Sequence, residues 1–343
     1  MKNVLIASIG MLLSLSVTAA TSVEVTDYQG CLLQRLDQVS EELTVGALKR
    51  ECLRAANVNS EQEVIAAVSA EDDSAIHRRL AREREGVFNP FALTPHKPSY
   101  ILYSAMDEAN QDPYSGLSNN PEPLDDTEMI FQVSFKAPVW REAFGTNGDL
   151  FIGYTARSGW QLFNDEVSSP FRETNYEPEI FWQRQTSRKI LGWNLSGYRL
   201  GFVHQSNGRN VPLSRSWNRI YAHFGFDRGP WTLALKPWYR IPEDEKEFPL
   251  DTEGDDNPDM WKYMGYGEYS LLYRTKKQHV WSLMTRYNFN SDAKGAAQLS
   301  WSFPLNTRFR GFAEVFSGYG DSMIDYNESI TRFSVGIALT DNI

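Results

Sequence analysis

The 343-residue sequence predicts an all-β fold, a twelve-stranded antiparallel transmembrane β-barrel preceded by a small N-terminal helical periplasmic extension. Three observations carry this expectation. After an opening export signal, no run approaches the roughly 18 apolar residues that a spanning helix requires. From Phe88 onward, short segments of alternating apolar and polar residues follow one another to the end of the chain. Their connections alternate between tight turns and long loops, as in bacterial barrels whose turns face the periplasm and whose loops face outward.

Taken in order, residues 1–20 combine Lys2, an apolar middle and the small pair Ala19-Ala20, the make-up of a cleaved secretory signal. Residues 21–87 are rich in Ala, Glu and Arg and read as helical, with little that could build a large core. This extension holds both cysteines of the chain, Cys31 and Cys52, which an oxidising compartment predicts to pair as a disulfide. On one straight helix they would stand about 30 Å apart, so pairing requires a turn between them, for which Gly46 supplies a place.

Residues 88–343 form the predicted barrel domain. Strands are expected to start near Ser99, Met129, Leu150, Glu179, Trp193, Trp217, Trp231, Tyr263, Val280, Ala297, Phe309 and Arg332. The last is the clearest, with Phe333, Val335, Ile337 and Leu339 alternating with Arg332, Ser334, Gly336 and Ala338. Tight turns are expected at Ser187-Arg188, at Asp227–Gly229 and at Thr275-Lys276. Long loops are expected near 108–127, 161–175, 207–216, 240–261 and 318–330. Aromatic residues make up 13% of the chain, with 10 Trp and 16 Tyr, beside 23% charged residues, a balance suited to a barrel with aromatic girdles and a polar interior. A net charge of -10 argues against nucleic acid as a partner. Much of the acid lies between Glu243 and Asp256, which reads as a solvated loop or a weak divalent-ion site.

The chemistry concentrates in the hairpin from Gly201 to Tyr221. His204 and Ser206 are two residues apart and so share one face of a strand, while Asn218 heads the next strand. On their face lie Leu200 and Phe202, and on Asn218's face Ile220 and Ala222, so these polar groups sit on the apolar side of the hairpin. In a soluble protein that side would be core and the three would be a hydrogen-bonded structural cluster. In a membrane barrel it meets lipid, where polar residues are costly unless functional. A serine attacks an ester when a base takes its proton and a third group fixes the base's tautomer, the roles that Ser206, His204 and Asn218 would fill. Gly208, two residues beyond Ser206, offers an unobstructed backbone N–H for an oxyanion.

The pattern His204-x-Ser206-Asn-Gly208-Arg209, then Ser214-Arg-Ser-Trp-Asn218-Arg, with Ser168-Ser-Pro-Phe-Arg-Glu-Thr-Asn-Tyr-Glu-Pro upstream, resembles the bacterial outer membrane phospholipase A family. Further matches are Lys236-Pro-Trp-Tyr, Asp256-Asn-Pro-Asp, Lys262-Tyr-Met-Gly-Tyr and Ser317-Gly-Tyr-Gly-Asp-Ser-Met-Ile-Asp-Tyr-Asn. The resemblance implies hydrolysis of the acyl esters of glycerophospholipids and lysophospholipids, with A1, A2 and lysophospholipase activity, at the outer-leaflet side of the outer membrane. It also implies a homodimer with one calcium ion per monomer, held by the Arg209 carbonyl, Ser214 and the neighbouring subunit's Ser168. There are three departures. Val211 stands where the family can carry Asp for an additional calcium site, Ala156 where relatives place glutamine on the dimer face, and Ile343 where assembled barrels end in an aromatic residue. The rival expectations are a non-catalytic pore or lipid-binding barrel, and an adhesion barrel that uses the acidic loop.

Overall fold

Period-two alternation decides the architecture. In the computed structural model, which describes Ile76, Arg79 and residues 93–115, 123–165, 170–248, 250–306 and 308–340, that alternation builds one closed antiparallel sheet. After a two-residue β1 (Thr94–Pro95) come β2 (Ser99–Met106), β3 (Thr127–Trp140), β4 (Gly148–Trp160), β5 (Phe171–Ile190), β6 (Trp193–Ser206) and β7 (Ser216–Arg228). They are followed by β8 (Trp231–Ile241), β9 (Gly267–Arg274), β10 (Val280–Tyr287), β11 (Gly295–Pro304), β12 (Arg310–Tyr319) and β13 (Ser329–Thr340). Each strand of β2–β13 pairs with its sequence neighbours, and β13 closes on β2 with Val335 opposite Tyr103. Closure satisfies the backbone groups that an edge strand would expose to lipid.

The predicted barrel of twelve strands is therefore what the described residues form, with β1 as a short addition against β3. The signal at 1–20, the helical extension with Cys31 and Cys52, Ser168 and Ile343 lie outside the described residues. Within the predicted extension, Arg79 Nη2 donates to the carbonyls of Pro95 at 3.1 Å and His96 at 2.6 Å.

Two local expectations need correction. The turn placed at Ser187-Arg188 is strand, because β5 runs on to Ile190 and the chain reverses at Leu191-Gly192, both at positive φ. That two-residue turn matches the twist of its flanking strands, and glycine at its second position removes the strain. The strand expected near Tyr263 is instead a short helix, α1 (Met260–Met264), which buries Met260 and Met264 and gives way to β9 at Gly267.

The outer wall carries the large apolar side chains, such as Leu200, Ile220 and Phe333, each half-exposed. The inner wall is polar, and many of its charged groups pair with one another. Arg332 reaches Glu314 at 2.8 Å and Asp321 at 2.8 and 3.0 Å, and Gln298 completes Glu314 at 2.8 Å. Deeper in, Glu179 takes His96 Nε2 and the Tyr221 hydroxyl, each at 2.5 Å. Toward the long-loop end this lining changes to an apolar plug in which Trp217, Val203, Met260, Met323 and Tyr326 are buried together. The plug backs the hairpin that carries the candidate site.

Candidate active site

The β6–β7 ladder sets His204 opposite Asn218 and Ser206 opposite Ser216. Strand parity then sorts the side chains. Val203 and Trp217 turn inward and are fully buried, so His204, Ser206 and Asn218 stand outward, beside Phe202 and Ile220. Trp217, directly behind them, is fixed by Nε1 donating to Gln205 at 2.9 Å and by the Arg219 guanidinium 3.9 Å from its ring. On the other flank the β5–β6 pairing lapses between Tyr176↔Ser206 and Glu179↔Val203, where Pro178 has no N–H to give. An open apolar cavity there is lined by Phe202, Ile180, Ile152, Leu93 and His204.

His204 Nδ1 and Asn218 Oδ1 are 2.9 Å apart. If Nδ1 carries the proton, Nε2 is left with a free lone pair, the form a general base requires. The structure brings these two together and leaves Ser206 beside them: among the described residues neither Ser206 Oγ nor His204 Nε2 has a hydrogen-bond partner. Two residues along a strand is about 7 Å between Cα atoms, so the serine and the imidazole are neighbours whose contact waits on side-chain rotation.

Gly208 has φ +64°, and a Cβ there would come 3.1 Å from the Tyr176 ring, so both backbone conformation and space call for glycine. Its N–H has no partner among the described residues. Asn207 builds the loop around it: Oδ1 accepts from Arg215 N at 2.9 Å and Arg209 N at 3.3 Å, while Nδ2 donates to the Leu213 carbonyl at 2.8 Å. The Arg209 side chain anchors the same loop to β5 by donating to the carbonyls of Phe171 and Arg172.

Of the expected calcium ligands, Arg209 and Ser214 lie in this loop. The Arg209 carbonyl accepts no hydrogen bond among the described residues, and Ser214 Oγ donates to Asp256 Oδ2 at 2.5 Å, which leaves its lone pairs for a cation. Two such oxygens suit a hard cation but are too few for the roughly 6–8 that calcium takes, so they would be part of a site. Ala156 lies on the outer face of β4, opposite Val133 and Tyr176. Val211 sits at the loop's apex beside Pro212.

The acidic segment after β8 is less solvated than its composition suggests. Asp255 pairs with Arg240 at 2.6 Å and Asp256 with Lys246 at 2.7 Å, and among the described residues no group of three or more His, Cys, Asp or Glu could hold a metal. Asn257 caps β7 through the Ser216 N–H and carbonyl, at 3.0 and 2.9 Å. Glu243 Oε1 accepts from Asn218 Nδ2 at 2.9 Å. Sequence inspection missed Glu243 and Asn257. The available signal was position, since Ile241, the last residue of β8, pairs with Asn218 and delivers the acidic segment onto the site.

The model of the phospholipase A1 family matches residues 76–339. The chain belongs to the phospholipase A1 family. Phospholipase A1 of Escherichia coli K12 is 40% identical over 253 residues, 74% of this chain and 83% of that protein. The solved outer membrane phospholipase A of Escherichia coli superposes with a TM-score of 0.68 at 39% identity, covering 74% of this chain and 100% of its own. The same protein is also solved as an active-site mutant in which asparagine is replaced by alanine, with a TM-score of 0.66, 39% identity and coverages of 74% and 93%. The Salmonella typhi outer membrane phospholipase, solved as a dimer with bound calcium, gives 0.67 at 41% identity over 74% of this chain and 94% of its own. The resemblance drawn from the hairpin motifs holds, and the chain is an outer membrane barrel of this phospholipase family.

Proposed function

We propose that this family member is a calcium-dependent phospholipase that hydrolyses acyl esters of glycerophospholipids and lysophospholipids, with A1, A2 and lysophospholipase activity. One observation carries it: an Asn-oriented imidazole beside a serine on the outward, apolar wall of a barrel. Such a placement meets the ester region of a membrane lipid from the side. Ser206 Oγ attacks the acyl carbonyl as His204 Nε2 takes its proton; His204 returns that proton to the departing glycerol oxygen, and water attacks the acyl-serine in the same way. Asn218 Oδ1 holds Nδ1–H throughout, and the Gly208 N–H meets the oxyanion. The E. coli relative's asparagine active-site mutant agrees with a role for Asn218.

Calcium, one ion per monomer, would be held by the Arg209 carbonyl, Ser214 and Ser168 of the partner subunit, and would supply positive charge near the oxyanion. The calcium-bound dimer of the S. typhi relative supports this pairing of ion and homodimer. The active site would then face the outer leaflet and the N-terminus the periplasm. The test is release of fatty acid from phospholipid by refolded protein, with and without a calcium chelator, for the natural chain and Ser206→Ala. Calcium-dependent release lost in Ser206→Ala is expected. Release by Ser206→Ala at the natural rate would refute the nucleophile, and no release from either protein would leave a pore or lipid-binding barrel.

A further inference from the structure

The hydrogen bond from Asn218 to Glu243 has no part in the reaction as set out above. β8 ends at Ile241, which pairs with Asn218, so the chain two residues further on passes over the end of that side chain. There the half-buried Glu243 accepts from Asn218 Nδ2 at 2.9 Å, while Asn218 Oδ1 faces His204 Nδ1, also at 2.9 Å.

A carboxamide has two ends of nearly equal shape, and a half-turn about its terminal bond exchanges an acceptor for a donor. With Oδ1 toward the imidazole, Asn218 accepts from Nδ1–H and leaves Nε2 unprotonated and able to serve as base. With Nδ2 toward it, Asn218 donates to Nδ1, the ring proton moves to Nε2, and the imidazole cannot take the serine proton. A lone asparagine discriminates weakly between these states. A carboxylate accepts and does not donate, so Glu243 at the far end is compatible with the first state and opposes two oxygens in the second. Its negative charge, one amide away from the ring, also offsets the weakness of a neutral orienter when imidazolium forms.

We infer that Glu243 is a positioning residue that locks the Asn218 amide, and through it the His204 tautomer. This rests on the proposed roles of Ser206, His204 and Asn218. In the order His204–Asn218–Glu243 the amide holds the position beside the imidazole that a serine triad usually gives to its single acid, and the carboxylate stands one group further out.

The experiment measures kcat and KM for phospholipid hydrolysis in mixed micelles at saturating calcium, with folding checked by heat-modifiable gel mobility. Glu243→Gln, which can present a donor as readily as an acceptor, is expected to lower kcat roughly ten- to a hundredfold with KM nearly unchanged, the loss that a hydrogen bond to a charged group accounts for. In the Asn218→Ala background the same change should have no further effect, because its target is gone. In the Asn218→Asp background two carboxylates would meet, so Glu243→Gln should there raise kcat. A merely structural loop contact would not reverse sign in this way. Glu243→Gln at natural kcat, with Ser206→Ala inactive and Asn218→Ala impaired, would overturn the inference while the site stands. So would an equal loss in the Asn218→Ala background. Hydrolysis by Ser206→Ala at the natural rate would remove the site itself, and the inference with it.

Discussion

Replacing Arg172 with leucine should destabilise the barrel by a large and calculable amount. Arg172 stands in β5 at the long-loop end, its guanidinium donating to both Glu128 oxygens at 2.9 and 3.1 Å and to Asp325 at 2.6 Å. All three side chains are buried, and Gly159 leaves the space that the Glu128 carboxylate fills, since a Cβ there would lie 2.7 Å from it. Removing the cation alone leaves two buried carboxylates without it, and breaking a buried pair in this way costs about 3–5 kcal/mol. Asp325 keeps Ser322 and Asn110 as donors, at 2.6 and 3.1 Å, so the lower half of that range, about 3–4 kcal/mol, is expected. Combining the change with Glu128→Gln and Asp325→Asn should recover most of the loss, because the uncompensated charge is its main source. Chemical unfolding in detergent micelles, followed by tryptophan fluorescence, measures both variants. A single-variant loss below about 1 kcal/mol, the range of exposed pairs, would refute the view of this cluster as a buried charge lock.

Four further outcomes are expected. Gly208→Ala should lower kcat about 10²–10³-fold, the effect of losing an oxyanion donor, because φ +64° and the Tyr176 ring both oppose a Cβ; unchanged kcat would remove Gly208 from the oxyanion site. Burial alone would raise the Asp321 carboxyl, but Arg157 and Arg332 hold it well below its ordinary value. Its stabilising contribution is therefore full above roughly pH 4 and declines as pH falls further, and Asp321→Asn should flatten the acid limb of a stability profile taken by thermal melting. Asp256→Asn, which weakens the partner of the Ser214 hydroxyl, should raise the calcium concentration for half-maximal activity roughly 10–100-fold, and an unaltered calcium curve would separate Ser214 from the ion. A thiol assay on protein isolated without reductant should find none free, whereas two titratable thiols would refute the Cys31–Cys52 disulfide.

The barrel was legible because lipid outside and a polar interior impose alternation on every strand, as Phe333 to Leu339 against Arg332 to Ala338 show. Parity also told the outward placement of His204, Ser206 and Asn218, since one strand position settles the rest. What alternation does not encode is where a strand stops. The turn at Leu191-Gly192 was missed because β5 and β6 extend beyond the apolar belt with polar residues on both faces, as at Thr186 to Lys189. α1 was missed because Tyr263-Met-Gly-Tyr has a strand's composition, and its helix is imposed by burial of Met260 and Met264. Glu243 escaped notice for a different reason. An acidic run reads as solvated until the register of β7 on β8 is known, and register is a long-range property.

The wall that carries His204 and Ser206 is also the wall that meets the bilayer, and this changes what substrate concentration means. A site opening into bulk water samples molecules per volume; a site on this face samples molecules per area, supplied by sideways diffusion within a leaflet. Its saturation should follow the mole fraction of cleavable lipid at the surface, and diluting phospholipid with inert detergent at fixed bulk amount should slow turnover as surely as removing it. The rate would then report how crowded with phospholipid the leaflet beside the site is, a quantity of the membrane rather than of the solution around it.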